Sequence, residues 1–223
     1  MSSGIHQRYK RSQIEQVIQA IDGAREVPKA VLRANVKRLL DFDRNPEARI
    51  LQRASDTLAF FDGPSKGQGT EVAYRPYQAF ALLIGLRLLK AGMPQSRVVL
   101  FLRDVRVELE PAFARLASED PAKLRPGLSE EQRLELIQGG ELVGKASEMT
   151  FLIAQASADP SGAPRPDEWG TVGQSVGDHN FLLDHLADLS KSGQVAIVLE
   201  LTNVIHQLMD ALPRTTVRKR GRQ

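Results

Sequence analysis

Three stretches of the sequence hold residue types and spacings that could do chemistry. Asp178-His179, Asp184-His185 and Asp188 form a His-plus-carboxylate set, the means by which a chain without cysteine binds hard or borderline metals. Helical spacing divides that set, because residues six apart lie on different faces; His185 and Asp188 could share one. Acids in or near a helix's first turn are explained as well by their favourable interaction with its positive end. Gly173-Gln-Ser175-Val-Gly177 matches the GxSxG nucleophile elbow, yet Asp167 to Gly173 is a poor buried strand and little chain follows for a returning acid and histidine. A glycine-rich loop leading into the next helix fits better. Gly139 to Ala146 approaches the GxxxxGK[ST] phosphate loop, but Ala146 lacks the magnesium-binding hydroxyl and a helix precedes it where a strand is required. An interhelical turn is the better account. No metal, cofactor or catalytic group is therefore assigned, and no enzyme activity is expected.

The basic residues are more numerous and mutually consistent. Lys29, Arg33, Lys37 and Arg38 lie on one predicted helix, Lys66 in a glycine-rich turn and Arg75 just beyond it. Arg214, Arg218, Lys219, Arg220 and Arg222 crowd the last ten residues, which contain no acid. Side chains of this kind, brought together, hold the phosphates of double-stranded DNA. Net charge alone, +3 over 223 residues, conceals the pattern. Residues 1–103 carry 17 Lys/Arg against 9 Asp/Glu, a net +8, while 104–213 carry 8 against 18, a net −10. An acidic half is repelled by DNA and should face away from it.

The elements that would position these groups follow from periodicity. Ser12 and Glu15 stand in capping-box spacing ahead of Ile14, Val17, Ile18 and Ile21, which predicts a first helix ending at Gly23. Pro28 opens a second, with Leu32, Val36, Leu39 and Leu40 on its apolar face and the cations opposite. The short Gly-Ala-Arg-Glu-Val between them suits a helix-turn-helix. Thr57 to Phe61 and Thr70 to Tyr74 read as two strands of a hairpin wing with Lys66 at its tip. Tyr77 to Ala91 is apolar almost all round and must be buried. Val98, Leu102, Val105 and Leu109 stripe the next helix, which Pro111 should kink or break.

Beyond a soft boundary near 118–128 the character changes. Ser129 to Gln132 repeats the capping-box spacing; Met149 to Ala156 reads as a strand, 158–175 as a Pro/Gly-rich loop, and His179 to Ser190 as a helix. Val195 to Leu201 followed by Asn203 to Leu212 reads as strand then helix, with Thr202-Asn203 supplying the cap. A single continuous helix also fits the spacing of Val198, Leu201, Ile205, Leu208 and Leu212. The expected fold is mainly α with small β elements: a winged-helix-like domain over 1–118, a small α/β domain over 119–213, and a basic disordered tail over 214–223.

Composition narrows the class further. With 42% hydrophobic and 26% charged residues and no cysteine, the chain cannot build disulfide frameworks, Cys-ligated zinc, Fe–S clusters or thiol nucleophiles. The first ten residues are polar, and the longest apolar run, Ala79 to Leu86, is far short of the roughly 20 residues a membrane span needs. Neither a signal peptide nor a membrane helix is expected, and the expected location is the cytoplasm.

Tyr74-Arg-Pro-Tyr77, then Leu83, Leu86 and Leu89, then Gly92-Met-Pro-Gln-Ser-Arg-Val-Val99 resemble the wing end, the helix after it and the following segment of MerR-type transcriptional regulators. The resemblance covers about 30 residues. It implies a helix-turn-helix and wing that contact DNA and a helix that pairs two subunits, hence a homodimeric regulator or accessory factor. The alternative is a protein-interaction module, antitoxin-like or a scaffold subunit, whose basic half binds acidic protein surface or its own acidic half.

Overall fold

The computed structural model describes residues 7–22, 29–45, 57–63, 72–119, 129, 131–132, 135, 149–157, 168–170, 174–192 and 194–215. It is mainly helical, with one two-stranded and one three-stranded antiparallel sheet. In chain order the elements are β1 (Tyr9–Lys10), α1 (Arg11–Ile21), α2 (Lys29–Arg44), β2 (Ala73–Tyr74), α3 (Pro76–Lys90), α4 (Gln95–Asp104), α5 (Arg106–Ser118), β3 (Phe151–Ser157), β4 (Val176–Gly177), α6 (His179–Ser192), β5 (Gln194–Glu200) and α7 (Thr202–Ala211). A short 3-10 turn, Leu212–Arg214, follows.

The all-round apolar helix is the centre of the molecule. From Pro76 to Leu86 every residue of α3 is buried. Phe80 stacks on Phe113 of α5 with ring centroids 5.2 Å apart, and Tyr77 meets the same ring edge-on at 5.8 Å. Gly92, at φ +96°, adopts the left-handed conformation that ends α3 without a Cβ penalty. α2 and α4 also pack on α3, presenting Leu32, Val36, Leu39 and Leu40 from the first and Val98, Val99 and Leu102 from the second. The core does not stop there. Val204, Ile205 and Leu208 of α7 join it, as that helix packs against α1, α3 and α5. His206 Nε2 lies 3.2 Å from the Leu116 carbonyl oxygen of α5.

The larger sheet has the order β4-β3-β5. Leu152 pairs with Leu199 and with Val176, so these three side chains share the face turned to the core. α6 covers the other face. There Gly177 lies so close to Phe181 that an added Cβ would sit 2.2 Å from the ring. Among the described residues, no helix is long and apolar enough to cross a membrane.

Several expectations are revised. Thr57 to Phe61 is not a strand: the Ala59 and Phe60 N–H groups donate to the Asp43 carboxylate, at 3.0 and 2.9 Å, instead of to a neighbouring strand. Ala73–Tyr74 pairs with Tyr9–Lys10, so the hairpin wing predicted from 57–61 and 70–74 is replaced by a contact with the chain's start. The first helix opens one residue early, with Gln13 rather than Glu15 closing its box: the Lys10 N–H donates to Gln13 Oε1 at 2.9 Å. The break expected at Pro111 falls at Val105, and Pro111 sits inside α5. The last strand and helix are separate, as preferred, but the cap comes from Glu200, whose carboxylate accepts the Asn203 N–H at 3.0 Å. Thr202 instead accepts the Thr150 N–H at 3.0 Å. The Ser129–Gln132 box forms as expected.

Candidate functional site

α2 presents its cations as its periodicity requires. With the apolar residues committed to the core, Ala30, Arg33, Ala34, Lys37, Arg38 and Asp41 are exposed within an arc of about 140°. Lys29, at the helix's first residue, is half-buried. Arg38 makes no ion pair among the described residues; its carbonyl accepts from Gln95 Nε2 of α4 at 3.0 Å, which fixes the helix beneath it. Lys37 meets Asp41 at 2.7 Å, both well exposed, and such a pair contributes at most about 1 kcal/mol, so a phosphate can compete for the lysine. Arg33 reaches Glu15 at 3.3 Å.

Two hydrogen bonds then tie other parts of the chain to this corner. Arg11 Nη2 donates to the Arg33 carbonyl at 3.0 Å, bringing the start of α1 against the basic helix. Gln13 Nε2 donates to Thr215 Oγ1 at 3.0 Å, so the root of the C-terminal basic segment lies beside the same turn of α1. Arg8 is exposed close by in sequence. Over residues 7–22 and 29–45 eight cations, Arg8, Lys10, Arg11, Lys29, Arg33, Lys37, Arg38 and Arg44, outnumber four acids, Glu15, Asp22, Asp41 and Asp43, of which Asp43 is fully buried and Glu15 only 8% exposed.

Of the remaining predicted residues, Arg75 and Arg214 have acidic partners of their own. Arg75 lies between Asp62, which it contacts directly, and Glu110 at 3.3 Å. Arg214 pairs with Asp210 at 2.6 Å. Lys66, Arg218, Lys219, Arg220 and Arg222 lie outside the described residues, as does the Gly139 to Ala146 loop.

A second charged cluster holds this platform in place. Asp43 and Arg103 are fully buried side chains 2.8 Å apart, and Arg103 also donates to the Asp43 carbonyl at 2.6 Å. Arg106 donates to the carbonyls of Leu58 and Phe61 and to Glu110 at 2.9 Å. Its guanidinium stands 5.2 Å from the Tyr77 ring centroid. Burial lowers the Arg106 pKa, but the hydrogen bond and charge of Glu110 outweigh it and the net shift is upward. Burial likewise pushes the Tyr77 phenol well above its ordinary value. Arg106 is charged and Tyr77 neutral at neutral pH, and the cluster acts as a brace for residues 57–62. The signal for them was in the sequence: Asp43 falls four residues after Leu39 and Arg106 four after Leu102, each on an otherwise apolar stripe.

The other motifs are placed differently from their chemical prototypes. Ser175 is 1% exposed, precedes β4 instead of following a strand, and its backbone N–H donates to Glu108 at 2.9 Å. Asp178 accepts the Phe181 N–H at 3.0 Å and caps α6, while His185 Nδ1 lies 3.1 Å from the Phe181 carbonyl. Among the described residues no group of three His, Cys, Asp or Glu is close enough to hold a metal ion. No family model, curated protein or solved structure matches the chain.

Proposed function

We propose that the protein binds double-stranded DNA, as a transcriptional regulator or accessory factor, through the corner built from α1 and α2, beside which Thr215 lies. The observation that carries this reading is the bond from Arg11 to Arg33, which joins two separately encoded basic stretches, with Thr215, the residue that precedes the C-terminal cations in the sequence, held on Gln13 of the same helix. Phosphate contacts need cations on a fixed backbone, and α2 is fixed by Leu32, Val36 and Leu39 in the core. The resemblance of residues 74–99 to MerR-type regulators points the same way and implies a homodimer. Fluorescence anisotropy against a duplex, titrated with salt, tests it. With about six phosphates engaged, log K should fall against log salt with a slope near −5. Arg38→Glu should weaken binding for every sequence and make the slope shallower. No affinity at low salt would sink the proposal.

A second reading, a protein-interaction module, is favoured by the pairing of Arg33 with Glu15, Lys37 with Asp41 and Arg75 with Asp62 and Glu110, which neutralises part of the basic set. It predicts weak, sequence-blind DNA affinity and recovery of one stoichiometric protein in a pull-down.

A further inference from the structure

β5 is the edge of its sheet and lacks the features that keep edges apart. Its sequence, Gln-Val-Ala-Ile-Val-Leu-Glu, has no proline and no lysine, and its one charge is at the end. Edges this long and apolar are templates for pairing with another strand. Every residue of β5 is half-buried or exposed, and Val198 is 38% exposed.

The phase of the ladder shows which groups are available. Gln155 exchanges hydrogen bonds with Gly170, and Ile153 N–H donates to Ser175, so the odd-numbered residues of β3 bond away from β5. Its even-numbered residues bond toward β5, as Thr150 does in accepting the Leu201 N–H at 2.8 Å. The register Leu152 to Leu199 and Ala154 to Ile197 then assigns the odd residues of β5 to β3. Gln194, Ala196, Val198 and Glu200 therefore direct N–H and C=O outward, and their backbone groups meet no partner among the described residues.

We propose that this edge pairs with the same edge of a second copy, antiparallel about a two-fold axis at Ile197. The occupant follows from the phase. An axis at Ile197 sets Gln194 opposite Glu200 and Ala196 opposite Val198, so every outward residue meets another outward residue. Four such residues on each strand, each supplying one donor and one acceptor, make eight N–H···O bonds. Two axes one residue to either side keep the phase wrong or shorten the overlap. No two charges face each other: the carboxylate of Glu200 meets the neutral amide of Gln194, and Val195 meets Leu199. The contact is isologous and closes, which stops the edge from recruiting further strands. The resulting sheet would have six strands, an ordinary size.

α6 supplies the flank. On its wheel Asp184 and Asp188 lie beside Phe181, which contacts Gly177 of β4. Leu186 lies on the opposite rim and Leu183 further round, and these are 46% and 50% exposed. Exposed leucines on a helix in contact with β5 add apolar surface to that of the open edge.

The proposal is independent of the DNA-binding reading and is tested on the full chain by sedimentation and cysteine crosslinking. The unaltered protein should form a concentration-dependent dimer. Ala196→Pro removes only an outward N–H, leaving the β3 ladder whole; losing it on both strands should raise the dimer Kd about tenfold or more. Because the chain has no cysteine, single substitutions give unambiguous links. Ile197→Cys places two thiols in a directly opposed pair about 4.5 Å apart at Cα and should oxidise to a disulfide dimer. Val198→Cys places them two residues out of register, at about 8 Å, and should not. A protein that sediments as a monomer at every concentration overturns the proposal, and so does crosslinking at 198 equal to that at 197, even if Ala196→Pro folds poorly.

Discussion

Replacing Asp43 with alanine removes one carboxylate and disturbs three donors at once. Its oxygens accept the Ala59 N–H at 3.0 Å, the Phe60 N–H at 2.9 Å and Arg103 Nε at 2.8 Å, and both charged side chains are fully buried. Leaving a buried charge without its partner costs roughly 3–5 kcal/mol, and each buried amide left without an acceptor about 1–3 more. The short segment 57–63 can yield and admit water, which recovers part of the amide cost. A net loss of about 5 kcal/mol is expected, a large share of a typical total of about 5–15. At about 2–4 °C per kcal/mol for a chain of this length, Tm should fall by about 10–20 °C. Arg103→Met should cost less, because Asp43 keeps its two backbone donors. Urea denaturation followed by circular dichroism checks both, with the midpoint moving at constant slope. A loss under about 1 kcal/mol for Asp43→Ala would refute the reasoning. So would an Arg103→Met variant less stable than Asp43→Ala.

Two further outcomes follow from single contacts. Burial raises the Glu200 carboxyl pKa above 4.5, more than its hydrogen bonds from Asn203 and Thr202 lower it. The folded state therefore holds that proton more tightly than the unfolded state, and its ionisation costs stability as pH rises through the raised value. Glu200→Gln, which can still accept from Asn203, should gain stability relative to the parent between pH 4.5 and 7 in thermal melts; a gain confined to acid pH would contradict this. Gly177→Ala forces a Cβ to 2.2 Å from Phe181 and should destabilise by about 1–3 kcal/mol, with Phe181→Ala in the same chain restoring much of it. Undiminished stability in the single variant would show that α6 is free to shift.

Elements whose burial was decided locally were legible in the sequence. The apolar run of α3 admits no exposed face, and the stripe of α2 fixes which residues turn outward, so Arg33, Lys37 and Arg38 were placed correctly as an exposed set. What was not legible depended on partners distant in the chain. Thr57 to Phe61 has the composition of a strand, but strand pairing needs a neighbour, and Asp43 satisfies its N–H groups first. The meeting of Tyr74 with Tyr9, and of Thr215 with Gln13, links segments across long intervals that no local pattern encodes. The charged brace was visible only as Asp43 and Arg106 on apolar stripes, a signal that says a partner exists without naming it.

α7 connects the two surfaces for which roles are proposed. It begins at the Glu200 cap, at the end of β5, and runs about 15 Å to the turn whose next residue, Thr215, meets Gln13 of α1. Over that length it is packed against α1, α3 and α5, with Ile205 and Leu208 fully buried. The open edge and the basic corner are therefore opposite ends of one helix set in the core, not modules on a flexible tether. A two-fold at Ile197 would hold two basic corners at a fixed separation, as DNA half-sites demand, where spacing must match the helical repeat. A module that gathers acidic protein surfaces has no such requirement, so dependence of affinity on the spacing between two sites separates the two readings more sharply than affinity itself.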